Sequence, residues 1–488
     1  MKLKVKPLKF SAGRPVAIIN ESLAQKSSIH VDERLVLKKN HKSVVAVVDV
    51  AKKLISEEEV AVSTEIVKEL DLKEEDYVEV ELSPKPQSVW LIRKKLACKR
   101  LSRQEITSII KDIVQNALTE AEIAYFVSAV YKCGISLKET ADMTRAIFET
   151  GKKLNLKEKI IVDKHSIGGI PGRVTPILVA ICAAAGLIMP KTSSRAITTP
   201  SGTADAMEYL AEVDFSVEEL RKIIKKVGAC IVWGGSLGLA PADDKIIQVE
   251  RLLNLDPKPQ MIASIMAKKL AVGATHVLID IPYGKNAKVN HKEAKKLAQD
   301  FMKISKMFRI NTKCILSQNN EPLGNGIGPA LEIDDVIKIL LREDKCYKLE
   351  EKALFLSGKL LEMTKKAQPG KGGELAKEIL NSGRAYQKFA EIIAAQHGEI
   401  KRFQEPKFKR VITSRKSGKV AEVNIKKINL IARVAGAPLD KLAGIYLHKH
   451  LNDKVRKREP LLTIYSESES ELKHAFEYCD NEEPVVVK

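Results

Sequence analysis

The chain has 488 residues, with 82 Lys and Arg against 62 Asp and Glu and a formal charge of +20. At roughly 150 residues per domain, that length suggests about three domains. A hydrophobic content of 44% supplies sizeable cores and excludes a disordered or collagen-like chain. The longest apolar run, Ile177 to Met189, has thirteen residues, and a bilayer span needs roughly 20. Lys residues are interleaved through Met1 to Phe10, where a leader would be apolar. A cytoplasmic protein with no membrane partner is expected.

The seven cysteines are Cys98, Cys133, Cys182, Cys230, Cys314, Cys346 and Cys479, with no two at CxxC spacing. A disulfide framework or a zinc ribbon uses closer pairs, so free thiols are expected. The nine histidines form no HExxH, and His448 with His450 lacks a carboxylate or Cys at ligand spacing. No metal is therefore expected. Lysines are spread along the whole chain, often beside Glu as in LDLKEEDYVEVEL, and aromatic residues are only 5%. That pattern favours a solvated surface, with some cations drawn to an anionic small molecule, over a nucleic-acid partner.

Residues 1–86 read as a β-rich domain, from the runs KLKVKPLKF, PVAIIN, RLVLKK, SVVAVVDV and YVEVEL, and SPKPQS then reads as a linker. The next segment is helical. Ser102 with Glu105, Thr119 with Glu122 and Ser136 with Glu139 all fit the S/T-x-x-E capping box ahead of an apolar helical pattern. Cys133-Gly134 predicts a helix end.

From about residue 159 the rhythm becomes strand, loop, helix. KIIVD, LIMP, CIVW, HVLIDI and CILSQ are strand candidates, with apolar helices such as Val174 to Gly186 between them. This alternation predicts an α/β sheet with binding loops at the carboxyl strand ends. Helices dominate from Glu332 to His397, and the last eighty or so residues return to strands as an α+β domain.

Two loops carry the chemistry. Asp163-Lys-His-Ser-Ile-Gly-Gly-Ile-Pro-Gly172 follows a strand and precedes a helix. In that setting glycines let backbone N–H groups approach a phosphate, although the same glycines also serve in plain turns. Lys164 would add a charge and Ser166 a hydroxyl, while His165 reads either as a packed side chain or as a base. The second loop, Lys191 to Thr203, holds Ser193, Ser194, Thr198, Thr199, Ser201 and Thr203 together with Arg195. It suits a second anionic group, or else it is a solvated loop with a helix cap. Asp256 precedes the helix MIASIMAKKLAVG, on which Ser264 and Lys268 share a face. Pro282-Tyr-Gly-Lys-Asn-Ala-Lys288 is another strand-end loop with two lysines, and GNGIG at Gly324 to Gly328 reads as a structural turn.

VDKHSIGG, the SSR…SGTADAMEYL block, GLAPADDK and ASIMAKKLAVG, in this order, resemble the thymidine/pyrimidine nucleoside phosphorylase family over roughly residues 95–480. The extra N-terminal domain and the second loop resemble its archaeal AMP phosphorylase branch. The chain departs from nucleoside-specific members at Pro176, where they carry a phosphate-binding serine. It departs again at SRAITTPSGT, where they carry GRGLGHTGGT.

The resemblance implies an α/β fold in which a helical domain (95–158, joined by about 243–272) closes on an α/β domain (159–242 and 273–405), with a C-terminal α+β domain at 406–488. It implies phosphorolysis, without cofactor, of AMP and other nucleoside 5′-monophosphates such as CMP and UMP by inorganic phosphate. The products would be the free base and ribose 1,5-bisphosphate, and the assembly would be a homo-oligomer of at least two chains. By resemblance Asp256 protonates the leaving base, and Lys164, Ser166 and Ser193 hold inorganic phosphate. Gly168, Ser194, Arg195, Ala196, Ile197, Thr198, Thr199, Thr203, Ser264 and Lys288 match the nucleotide contacts. Thr203 also matches the phosphate set, Lys268 and Ser264 match base contacts, and Arg251 aligns with a base-binding Arg only across a two-residue gap. The readings set against this one are a pyrimidine nucleoside phosphorylase of the same fold, a phosphoribosyltransferase of related fold, and a basic nucleic-acid-binding protein.

Overall fold

Alternation of apolar and charged residues along the first strands buries one face of each and rolls them into a closed barrel. The computed structural model describes residues 1–168, 170–196, 199–253, 255–285, 287–343 and 346–488. The strands are β1 (Lys2–Pro7), β2 (Val16–Asn20), β3 (Arg34–Lys39), β4 (Lys42–Ala51), β5 (Glu59–Val62) and β6 (Tyr77–Leu82). Their order is β1-β5-β2-β4-β3-β6, and β6 pairs antiparallel with β1 to close the ring. Inside lie Leu3, Val5, Ile19, Leu35, Leu37, Val60, Val78 and Val80. Closure pairs every edge strand and so removes the sticky rim that an open sheet would expose.

The barrel belongs to a first unit, residues 1–151 and 240–264. That unit continues in the helices Ser88–Leu96, Arg103–Val114, Glu120–Cys133 and Leu137–Glu149. The last three each open with a complete capping box, at Ser102/Glu105, Thr119/Glu122 and Ser136/Glu139, each cap being worth about 1 kcal/mol. Ile106, Ile109, Ile110 and Ile113 form the buried stripe that the 3.6-residue period requires. Lys245, on the helix Pro241–Leu253, donates to the carbonyls of Ile113 and Val114 at 2.9 Å each and so caps the end of their helix. Within the same unit, buried Arg34 of the barrel pairs with Glu122.

The expectation of free thiols is corrected here. Cys98 and Cys133 form a disulfide across 35 residues, with their Cα atoms 5.2 Å apart. The two cysteines lie at the C-terminal ends of the helices that begin at Ser88 and Glu120, whose packing brings those ends together. Spacing along the chain carries no record of that proximity. Cys182, Cys230, Cys314, Cys346 and Cys479 are free thiols.

The second unit comprises residues 152–239 and 265–488. Its strands β7 (Val162–Ser166), β8 (Met189–Ser193), β9 (Ala229–Trp233), β10 (His276–Tyr283) and β11 (Asn311–Gln318) pair in parallel. They form the sheets β11-β10-β7 and β8-β9, and a parallel bridge from Ile161 to Ile188 connects the two. Helices such as Val174–Ala184 and Tyr347–Met363 cover these strands. Parallel strands buried on both faces read as apolar runs, which is why HVLIDI and CIVW were legible.

The first strand begins three residues later than the KIIVD reading. It runs Val162–Ser166 and pairs as far as Ser166 with Asp280. Asp163, Lys164, His165 and Ser166 therefore lie on the strand itself, not in the loop. Asp163 is paired there with buried Lys269, and Lys164 Nζ lies 3.4 Å from Thr175 Oγ1.

Strands β12 (Gly326–Ile327), β13 (Phe408–Thr413), β14 (Gly418–Val423), β15 (Gly444–Leu447), β16 (Lys454–Val455), β17 (Pro460–Ser466) and β18 (Val485–Val487) form the sheets β12-β15-β17-β13 and β16-β14-β18. The helices Ile425–Val434 and Glu469–Glu482 share their core. The GNGIG segment is thus more than a turn: its centre supplies an edge strand paired with β15. Among the described residues, no helix is long and apolar enough to cross a membrane.

Candidate functional site

Charged side chains are gathered where parallel strands of the second unit end. On β7, Asp163 and Lys164 are 0% and 3% exposed. Asp163 accepts from Lys269 Nζ at 2.6 Å and from the backbone N–H of Lys164 at 2.7 Å, and Lys191 Nζ of β8 lies 3.9 Å away. Lys164 Nζ lies 3.4 Å from Thr175 Oγ1. On β10, Asp280 accepts from Ser166 Oγ at 3.0 Å, from Ser317 Oγ at 3.1 Å and from Lys352 Nζ at 2.5 Å. Arg173 pairs with buried Glu332 and donates to the carbonyl of Ser201 at 2.6 Å and to Thr203 Oγ1 at 3.4 Å.

Five cations, Lys164, Lys191, Lys269, Lys352 and Arg173, thus meet three carboxylates, Asp163, Asp280 and Glu332. Among the described residues, these cations outnumber the carboxylates they meet. Burial, and then repulsion by Lys352, Arg173 and Lys269 against the pull of Asp280, lowers the Lys164 ammonium from 10.5 to about 8. Burial and the nearby Lys269 lower Lys191 to about 7. Burial together with Lys269, Lys191 and Lys164 holds the His165 imidazole well below its usual value, so it is neutral near pH 7. A bound oxyanion would relieve this repulsion.

The buried atoms Thr192 Oγ1 and Ser193 Oγ, at the carboxyl end of β8, have no hydrogen-bond partner among the described residues, and Ser193 shares the strand face of Lys191. An orphaned buried hydroxyl costs about 1–3 kcal/mol, and an anion with spare lone pairs would remove that cost. Gly168, in the loop after β7, has a φ of +84°, a left-handed conformation that suits glycine.

The second loop is held from within. Asp205 accepts from the backbone N–H groups of Ala196 at 2.6 Å and Gly202 at 2.8 Å, and Thr199 Oγ1 donates to the Ser201 carbonyl at 3.0 Å. A Cβ on Gly202 would lie 2.6 Å from the Ser194 carbonyl oxygen, so only glycine permits this fold of the loop. Arg195 makes two bonds to Glu208, at 2.7 and 2.8 Å, approaches Asp205 and Asp214 at 3.5 Å, and stacks over Trp233. Those bonds raise the Arg195 guanidinium and, with Lys441, lower Glu208 to about 2. The expected cation of this loop is therefore matched by carboxylates. Ile197 and Thr198 lie outside the described residues.

Within the second unit, Lys164 meets Thr175, Ser166 meets Asp280, Thr203 meets Arg173, and Ser193 ends β8. Lys288 is exposed in the segment after β10. Asp256 and Ser264 belong to the first unit. Asp256 is exposed, two residues ahead of the helix Lys258–Ala271, and Ser264 donates to Asp243, 2.8 Å away and 1% exposed. Arg251 is exposed on the helix Pro241–Leu253. Of the paired histidines, His448 bonds Thr463, and His450 bonds Glu321 and Asn325.

Motif reading missed Arg173, Asp280, Ser317 and Lys352. A signal existed: Asp280 interrupts the apolar run HVLIDI, and Lys352 falls at helical spacing with the apolar Leu349, Leu356 and Leu360. Charges in such places rarely go unpaired.

Residues 158–386 match the glycosyl transferase family a/b domain, residues 90–151 its helical bundle domain, and residues 419–484 the pyrimidine nucleoside phosphorylase C-terminal domain. The AMP phosphorylase of Thermofilum pendens is 43% identical over 493 residues, covering 100% of this chain and 95% of that protein. AMP phosphorylase 1 of Archaeoglobus fulgidus is 42% identical, covering 98% and 96%. The AMP phosphorylase of Thermococcus kodakarensis is also 42% identical, covering 100% and 98%. In fold, the chain is similar to anthranilate phosphoribosyltransferase from Thermus thermophilus, with a TM-score of 0.54 at 16% identity over 63% of this chain and 99% of that one. Identity above 40% sustained from end to end leaves neither the barrel nor the C-terminal sheets outside the relationship, and the chain belongs to the AMP phosphorylase family.

Proposed function

We propose that this chain phosphorolyses AMP. Inorganic phosphate attacks C1′ of the ribose, the C1′–N bond to adenine breaks, and the base leaves with a proton. The products are adenine and ribose 1,5-bisphosphate, and CMP and UMP are further substrates. The observation that carries the reading is the surplus of buried cations over carboxylates among the described residues of this cluster, with the orphaned Ser193 hydroxyl on the same strand face as Lys191. The family to which the chain belongs supports it as well.

Lys164, Ser166 and Ser193 hold the attacking phosphate. Positive charge develops on the ribose as the bond to the base breaks, and a phosphate dianion held against C1′ stabilises it. Asp256 donates the proton to the leaving base, a role that requires its acid form. Ser264 contacts the base. Gly168, the segment from Ser194 to Thr199, Thr203 and Lys288 hold the nucleotide, with its 5′-phosphate near Lys288. Arg195 of that segment is oriented by Glu208, Asp205 and Asp214. The enzyme works in the cytoplasm as a homo-oligomer of at least two chains.

The test is phosphate-dependent release of free base from AMP, with adenosine and thymidine in parallel. Adenine and ribose 1,5-bisphosphate from AMP bear the reading out. Base released only from the nucleosides overturns it in favour of a nucleoside phosphorylase.

A further inference from the structure

Asp280 is 4% exposed and faces Ser166 across the paired strands β7 and β10. Its Oδ2 accepts from Ser166, while its Oδ1 accepts from both Ser317 and Lys352. Lys352 Nζ also lies 2.5 Å from Ser317 Oγ, and its side chain is 9% exposed. These groups come from three neighbouring strands and one covering helix, all in the second unit.

A serine hydroxyl has one hydrogen to give. While Ser166 gives it to Asp280, an arriving oxyanion meets only oxygen lone pairs, which repel it. Donation to phosphate therefore requires Ser166 to turn away from Asp280. A buried carboxylate tolerates that loss only if other donors, one of them charged, still satisfy it. Lys352 and Ser317 are those donors. Lys352 also answers the charge of Asp280, which otherwise draws on Lys164.

We propose that Lys352, assisted by Ser317, is a positioning residue for inorganic phosphate: by holding Asp280 it frees the Ser166 hydrogen and the Lys164 charge for the oxyanion. The inference rests on the reading of Ser166 and Lys164 as phosphate contacts. Lys352 itself touches neither phosphate nor nucleotide, and no covalent step passes through it.

The experiment is a kinetic cycle on the full chain. Phosphate KM, AMP KM and kcat are measured for wild type, Ser166→Ala, Lys352→Met, Lys352→Arg, Ser317→Ala and the doubles of each with Ser166→Ala. Lys352→Met is expected to raise phosphate KM by about 10-fold or more and AMP KM by less than about 2-fold, the scale of a redirected charge-assisted bond. Ser317→Ala raises phosphate KM by about 3-fold, and Lys352→Arg restores most of the loss. In the Ser166→Ala background the effects of Lys352→Met and Ser317→Ala fall to less than about half, as groups acting through one partner must show.

Equal effects in both backgrounds, or a rise shared equally by AMP, overturn the proposal. Wild-type phosphate KM in Ser166→Ala would instead overturn the reading beneath it. If Lys352→Met does not fold, Ser317→Ala, which removes a single hydroxyl, carries the same comparison.

Discussion

Lys269 Nζ lies 2.6 Å from Asp163 Oδ2, with the two side chains 2% and 0% exposed, in a pair that joins the helix Lys258–Ala271 to β7. The carboxylate sits next to Lys164 on β7, and it is anchored from a position 106 residues away. Removing one partner leaves a buried charge without compensation. Lys269→Met is expected to cost about 3–5 kcal/mol of stability, and the double variant Asp163→Asn/Lys269→Met to recover a large part of it. Chemical denaturation measures both; a loss below about 1 kcal/mol in Lys269→Met would show that other cations hold Asp163.

Ser193→Ala removes a hydroxyl that has no partner among the described residues. Deleting an unsatisfied buried group costs nothing in hydrogen bonding, so stability should stay within about 0.5 kcal/mol of wild type or rise. Phosphate KM should increase by about 10-fold, because the anion loses a donor. Unchanged phosphate KM would remove Ser193 from the anion site.

The depressed ammonium groups give a proton-linkage prediction. Lys164 at about 8 and Lys191 at about 7, against 10.5 in the unfolded chain, bind fewer protons when folded. Their unfavourable contribution to stability is full below the folded values. It is relieved as pH rises through about 7–8 towards 10.5. An anion stabilises the charged forms, so its binding near pH 8 must take up protons. Sulfate is the cleaner probe because it has no titrating proton there. Calorimetry in buffers of different ionisation enthalpy should show uptake that shrinks in Lys191→Met; proton release on binding would refute the assignment.

Asp256→Asn should still bind nucleotide but turn over about 100-fold more slowly or worse, the scale of a lost general acid. Wild-type turnover in this variant would take Asp256 out of the mechanism. Lys288→Ala should weaken AMP more than adenosine, read from the two KM values; equal weakening would place Lys288 away from the 5′-phosphate.

The Cys98–Cys133 disulfide closes a loop of 35 residues, and chain entropy gives such a crosslink about 4 kcal/mol. Reductant, or Cys98→Ser, should lower the unfolding midpoint of the oxidised protein. Thiol titration of the denatured protein should find five free thiols before reduction and seven after it. Seven before reduction would restore the free-thiol reading.

The elements were legible wherever the signal is local. A capping box satisfies N–H groups three residues apart, so Ser102, Thr119 and Ser136 mark helix starts on their own. The motif around Lys164 and Ser166 was legible as well, but its register was not. The strand runs to Ser166, paired with β10, and Asp163 on it is answered by Lys269; a window of local hydropathy holds no record of those partners. Arg195 shows the same limit: no local pattern specifies that Glu208, Asp205 and Asp214 surround this loop cation.

By itself, the sequence determined the barrel-forming alternation, the capped helices, the parallel-strand runs and the motifs that carry the family resemblance, all of which depend on neighbours within a few turns or one strand. Tertiary structure alone decided that Asp280 meets Lys352 across 72 residues, that Cys98 meets Cys133, and that Thr192 and Ser193 are left without partners among the described residues. A buried charge or hydroxyl is governed by what faces it in space, and chain closure brings those partners from positions that no local pattern specifies.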